Sequence, residues 1–128
     1  MNKFHELDLE TINQLSEAYR AISELPLIND TNLNESFNDF LDSCVSYSEM
    51  RSRWLLLSRE EQRRVDAVRT SKHNAVLLSL TILERLCIKK GLPITWRNLI
   101  GRSEFGEERK RQGDFACYIA FVLSINAR

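Results

Sequence analysis

Apolar residues recur along this chain at the spacing of an amphipathic α-helix, and that spacing predicts the elements in order. The first helix should open near Asp8, whose carboxylate can cap free N–H groups, while Leu7 and Ile12 form a hydrophobic staple. Its stripe runs Ile12, Leu15, Ala18 or Tyr19, Ile22 and Leu25. Pro26 should end it, because the residue before a proline is pushed out of the α region. A second helix is predicted from Asn32 to Leu57. Asn32 and Glu35 have the spacing of a capping box, and Leu33, Phe37, Phe40, Cys44 and Tyr47 lie on one face.

Ser58-Arg59-Glu60-Glu61 is the clearest local signal, a capping box opening a third helix that should run to Lys90. Gly91 stands where a left-handed terminator is needed and Pro93 follows it. A helix of that length would span roughly 45–50 Å. From Ala75 to Ile88 it is apolar on nearly every side, sparing mainly Thr81, Glu84 and Arg85. This makes it the expected hub, wrapped by the other helices. Ile94 to Ile100 allows one short helix before Gly101. The last helix should open after Gly106 and reach about Ile125, polar in its first half and buried on most faces in its second.

These elements predict an all-α fold: one domain over residues 1–128, an antiparallel bundle of four main helices plus one short helix, with a long central third helix. Composition agrees. The 128 residues are 43% hydrophobic and 28% charged, with only four Gly and two Pro to interrupt helices. Phe115 to Leu123, the longest apolar stretch, is about half of a bilayer span, and Met1 to Glu10 holds no apolar run of the secretory type. No membrane partner is expected, and a cytoplasmic location is. Cys44, Cys87 and Cys117 are widely spaced among apolar neighbours, which suits reduced core thiols. With two distant histidines they supply no metal-ligand spacing, and no cofactor motif is present.

Charge changes the picture. Residues 1–50 carry two basic and ten acidic side chains, −8, and residues 51–128 carry sixteen basic and eight acidic, +8. The two segments can face each other inside one bundle or across a symmetric dimer. The apolar run at the end of the second helix, Trp54, Leu55 and Leu56, is a candidate interaction patch. Together these features point to a non-enzymatic protein that binds a protein partner or itself. The alternative is nucleic-acid binding through the Arg59–Lys72 face, with Arg59, Arg63, Arg64 and Lys72 on phosphates. Few aromatics interleave those cations, which disfavours a single-strand binder.

Three residues could carry chemistry. Arg69 and His73 stand one turn apart and continue the stripe Val76, Leu80, Leu83 and Cys87, so both should point inward. Asp66 could pair with Arg69. An inward arginine and histidine on one helix are similar to the pair in the HEPN group of small helical ribonucleases and toxins, where about four to six residues separate them. Here three residues separate Arg69 from His73, and eight separate Arg64 from it. Asp114, at the border between the polar and apolar halves of the last helix, needs a buried partner such as Arg85 or Arg97. Leu86 to Ile100 has the outline of a helix-turn-helix. Its locking position, six residues after Gly91, is Arg97 rather than apolar, so a connector packing Trp96 and Leu99 onto the core is expected instead.

The segment Pro93-Ile94-Thr95-Trp96-Arg97-Asn98-Leu99-Ile100-Gly101, with Gly113-Asp114-Phe115-Ala116-Cys117-Tyr118-Ile119, resembles a small uncharacterised all-helical family of Gram-positive bacteria and their integrated mobile elements. The likeness covers the C-terminal third. It implies a helical fold and a bacterial source, and no chemistry.

Overall fold

The computed structural model describes residues 9–100 and 107–126, and every regular element among them is helical. In chain order these are α1 (Leu9–Ile22), a 3-10 helix (Leu25–Ile28), α2 (Thr31–Trp54), α3 (Arg59–Lys89), α4 (Trp96–Ile100) and α5 (Glu107–Asn126). The all-α class and the helix count of the sequence reading hold. The proposed Asp8 cap and Leu7 staple lie outside the described residues.

Local chemistry accounts for the helix ends, with two corrections. α1 stops at Ile22, before the predicted end, and Pro26 sits inside the 3-10 helix, where its fixed φ is preorganised and its missing N–H is not needed. That turn closes on Asn29 at φ 59°, ψ 47°, a left-handed conformation that asparagine tolerates. α2 is capped by Asp30 rather than by Asn32: the Leu33 N–H donates to Asp30 Oδ1 at 3.0 Å, and Asn32 and Glu35 lie exposed within the helix. α3 opens on the predicted capping box, with Glu61 N–H donating to Ser58 Oγ (3.2 Å) and Ser58 N–H donating to Glu61 Oε1 (3.1 Å). These bonds from Ser58 hold the Glu61 carboxyl below its ordinary pKa. α3 ends in a Schellman motif: Gly91 takes φ 75°, its N–H donates to Ile88 O, and the Leu92 N–H reaches back to Cys87 O.

α2 and α3 pair in antiparallel sense. Trp54 meets Gln62, Tyr47 meets His73, Ser46 meets Lys72 and Asp30 meets Lys90, so advance along one helix is retreat along the other. α5 packs chiefly on α2, with Phe40 and Phe115 at 6.2 Å between ring centroids. The pairs Gln14–Arg111 and Tyr19–Tyr118 advance together, so α5 returns in the same sense as α1. α4 lies against α1.

The hub is not α3. Only Val76, Leu80, Leu83, Glu84 and Cys87 of α3 are buried, whereas Leu78 and Ile88 are each 61% exposed and Ile82 half exposed. The enclosed segment is Gln112 to Cys117 of α5, six consecutive buried residues. Small residues decide this: Gly113 and Ala116 let α5 settle deep against its neighbours, while α3 is too long and sits at the edge of the layer. α5 is buried through Ile119 and then emerges, leaving Phe121 and Ile125 exposed. Nothing from residue 48 to residue 75 is buried, so the far end of the α2–α3 hairpin stands clear of the core by roughly 20 Å.

Glu84, one of the few polar positions in the apolar stretch Ala75 to Ile88, is 4% exposed. It accepts the indole N–H of Trp96 at 2.9 Å and a guanidinium N–H of Arg97 at 2.6 Å. This triad nails α4 to α3, and Trp96 and Ile100 are buried in consequence. Arg111 finishes the corner by donating to the carbonyls of Leu99 and Ile100 and to Gln14 Oε1. The short α4 with a buried Trp96 is the packing connector expected, not a groove-reading helix.

Two outcomes follow from these contacts. Glu84→Ala strands the largely buried Arg97 and should cost about 3 kcal/mol or more in urea unfolding; a loss under ~1 kcal/mol would mean that water compensates Arg97. Asp30 is held below its ordinary pKa by Lys90 first and by the Leu33 N–H second. Its contribution is therefore present at neutral pH and fades as pH falls through that depressed value. Lys90→Met should lower the melting temperature at pH 7 and leave it nearly unchanged near pH 2.

Candidate functional site

Two places collect the residues that could act. The first is the interior junction of α2, α3 and α5. The Tyr47 and His73 rings stack at 5.1 Å with 23° between planes. A side chain at position 113 would place its Cβ 3.0 Å from Tyr47 Oη and 3.3 Å from His73 Nε2, so one there would force the two rings to give by a few tenths of an ångström. Arg51, one turn along α2, donates from Nη1 to the Tyr47 hydroxyl at 2.6 Å, with its guanidinium carbon 5.7 Å from the ring centroid. Gln112 and Asp114 flank Gly113 and are themselves buried, Asp114 to 2% exposure.

Arg69 and His73 are not brought together as a pair. Arg69 lies over the Trp54 indole at 4.5 Å and bonds Asp66 at 3.1 Å, the ion pair anticipated from sequence. His73 turns instead toward Tyr47. Of the two arginines proposed for Asp114, Arg85 is exposed and Arg97 engages Glu84. Tyr47, Arg51 and Gly113 escaped the sequence reading as a group. A lone glycine inside a helical pattern was the available signal of a close approach, and Tyr47–Arg51 has i, i+4 spacing.

The second place is the exposed hairpin end. Trp54, Arg59, Gln62, Arg63 and Asp66 line an open groove of about 400 Å³. Gln62 ties the hairpin shut by donating to Trp54 O at 2.8 Å. Trp54 is half-buried under Arg69, while Leu55 is exposed and Leu56 is 85% exposed. Arg53, Arg59, Arg63 and Arg64 are exposed, and Lys72 donates to Ser46 Oγ at 2.5 Å. On α2, Glu35, Asp39, Asp42 and Glu49 form an exposed row at helical spacing. No ion pair among the described residues touches that row or the four tip arginines; the one pair joining the acidic and basic segments is Asp30–Lys90.

The chemistry of the rest is quiet. Burial, and secondarily the neighbouring Cys117, pushes the Cys44 thiol well up, and burial raises Cys87 with Glu84 adding to it. Such thiols stay protonated and unreactive. Among the described residues no three His, Cys, Asp or Glu side chains could hold a metal ion, and no helix is long and apolar enough to cross a membrane.

Comparison with known proteins finds no matching family model, no matching curated protein and no matching solved structure.

Gly113→Ala sets two effects against each other. Helix propensity favours alanine by about 1 kcal/mol, while overpacking against a buried ring costs about 1–3 kcal/mol. Because Arg51 fastens the Tyr47 hydroxyl, the clash should win, with a net loss near 1 kcal/mol in denaturant unfolding. In a Tyr47→Phe background the same change should turn neutral or stabilising, and a gain in the wild-type background would refute the close approach.

Proposed function

We propose that this chain is a non-catalytic helical bundle that works by self-association, pairing the basic end of one α2–α3 hairpin with the acidic α2 row of a second copy. One observation carries the reading. The exposed row Glu35, Asp39, Asp42, Glu49 and the exposed tip arginines Arg53, Arg59, Arg63 and Arg64 lie on the same hairpin, of opposite sign, with no ion pair between them. Asp39 and Arg59 stand on opposite sides of the turn, so two hairpins laid antiparallel about a two-fold axis match acid to base twice. Such an interface closes on itself. Leu55 and Leu56 beside the arginines add apolar area that the single chain leaves in water. The protonated core thiols suit a reducing, cytoplasmic setting, and the likeness to helical proteins of Gram-positive bacteria would make it a bacterial one.

Nucleic-acid binding is the second reading, favoured by the four unpaired arginines of the tip and opposed by Glu60 and Glu61 standing exposed among them. It predicts firm, salt-dependent retention on heparin. The ribonuclease reading draws no support from the geometry, because Arg69 is engaged with Trp54 and Asp66.

Sedimentation velocity tests self-association. A dimer is expected at low salt and dissociation toward monomer as the screening length shortens past about 0.5 M salt. Arg59→Glu with Arg63→Glu should abolish dimers, Asp39→Arg with Asp42→Arg likewise, and mixing the two variants should restore a heterodimer. A strict monomer at low salt and high concentration overturns the proposal.

A further inference from the structure

The outward face of α3 leaves apolar side chains in water: Val68, Leu78 and Ile82 are exposed, and so is Ala75 between them. Single exposed apolar residues are ordinary on a protein surface, so their spacing is what matters. Val68, Ser71, Ala75, Leu78, Ile82 and Arg85 follow one another at alternating steps of three and four residues, and Arg64 and Glu61 extend the series toward the hairpin turn. Every one of them is exposed. This is the 3.5-residue period of a coiled-coil seam, running for about 36 Å at 1.5 Å per residue. It lies on a different face from the stripe Val76, Leu80, Leu83 and Cys87 that packs into the bundle. Glu61 and Arg85, opposite in charge, mark its two ends. Among the described residues neither belongs to an ion pair, and Glu61 uses only one carboxylate oxygen on the Ser58 N–H.

We infer that this seam is covered by α3 of a second copy, lying antiparallel about a two-fold axis. Charge complementarity selects both direction and register. Parallel pairing would set Arg64 on Arg64 and Arg85 on Arg85. One antiparallel register would set Arg64 against Lys89 of the second copy. In the neighbouring register Glu61 meets Arg85, Arg64 lies over Ile82, Val68 packs on Leu78, and Ser71 meets Ala75 beside the axis. Each contact then occurs twice and the interface closes on itself. Small residues stand where the two backbones come closest, and the Arg64 stem covers Ile82 while its guanidinium stays in water. The inference deepens the self-association proposed above and rests on it. Ile82 lies between the Lys72–Ser46 and Lys90–Asp30 crossings, level with the acidic row of α2, so laying Arg64 over it brings the arginine tip alongside that row.

Sedimentation velocity and disulfide trapping of the full chain test the seam. Leu78→Glu and Ile82→Glu change exposed positions, so the monomer should keep its helical content. Each should weaken the dimer about a hundredfold, because the symmetric interface loses about tenfold at each of two equivalent contacts. Ser71→Cys mixed with Ala75→Cys should form a disulfide-linked dimer in oxidised glutathione, the three native thiols being buried. Thr70→Cys, exposed but off the stripe, should not link to Ala75→Cys. A dimer indifferent to both glutamates, or equal trapping at Thr70 and Ser71, overturns the seam and leaves the pairing of arginine tip with acidic row standing. A dimer that survives Arg59→Glu with Arg63→Glu but is lost in Leu78→Glu keeps the seam and removes that pairing. A strict monomer overturns both.

Discussion

Close approach of α5 to the α2–α3 pair organises this molecule. At Gly113 the backbone of one helix lies against the edges of two stacked rings from two others, with 3.0 Å between a would-be Cβ and the Tyr47 hydroxyl. That contact draws Gln112 to Cys117 wholly inside and sets the depth at which Phe115 meets Phe40. It also brings polar atoms to the centre of a helical core, where an unpaired group is costly, so the Arg51–Tyr47 hydrogen bond belongs to the packing as much as any methyl group does.

A second constraint acts at the other side of the bundle. Glu84 is buried and receives both Trp96 and Arg97. With its two oxygens engaged by an indole and a guanidinium, α4 can lie in only one place against α3, and Arg111 then closes the α4 carbonyls. Buried ion pairs are weak contributors to net stability but strong selectors of geometry once formed, and a five-residue helix has little else to orient it.

The hairpin end obeys different rules. Beyond Tyr47 and Val76 it has no buried residue, and it is held by a capping box, by Gln62 on the Trp54 carbonyl, by Arg69 on the Trp54 ring and by Lys72 on Ser46. Polar ties of this kind keep two helices together in water without consuming apolar surface. They leave Leu55 and Leu56 outside and the charged faces of the two helices unneutralised. The buried core is built without this segment, and the segment is ordered without a core of its own.

Much of the fold was legible in the sequence because its causes are local. The capping box at Ser58, the left-handed stop at Gly91 and the stripe from Leu33 to Tyr47 depend on neighbours within one or two turns, and each stands where it was read. What the tertiary structure alone decided is which apolar surface is covered. Ala75 to Ile88 and Phe115 to Ile119 look equally greasy, yet one keeps Leu78, Ile82 and Ile88 in water and the other is enclosed. The difference is the glycine and alanine that let α5 come close, and closeness is a relation between helices that no single stripe encodes. The meeting of Tyr47, Arg51 and His73 was hidden for the same reason, as was the burial of Glu84. The partners of that carboxylate, an indole and a guanidinium, arrive from a dozen residues away.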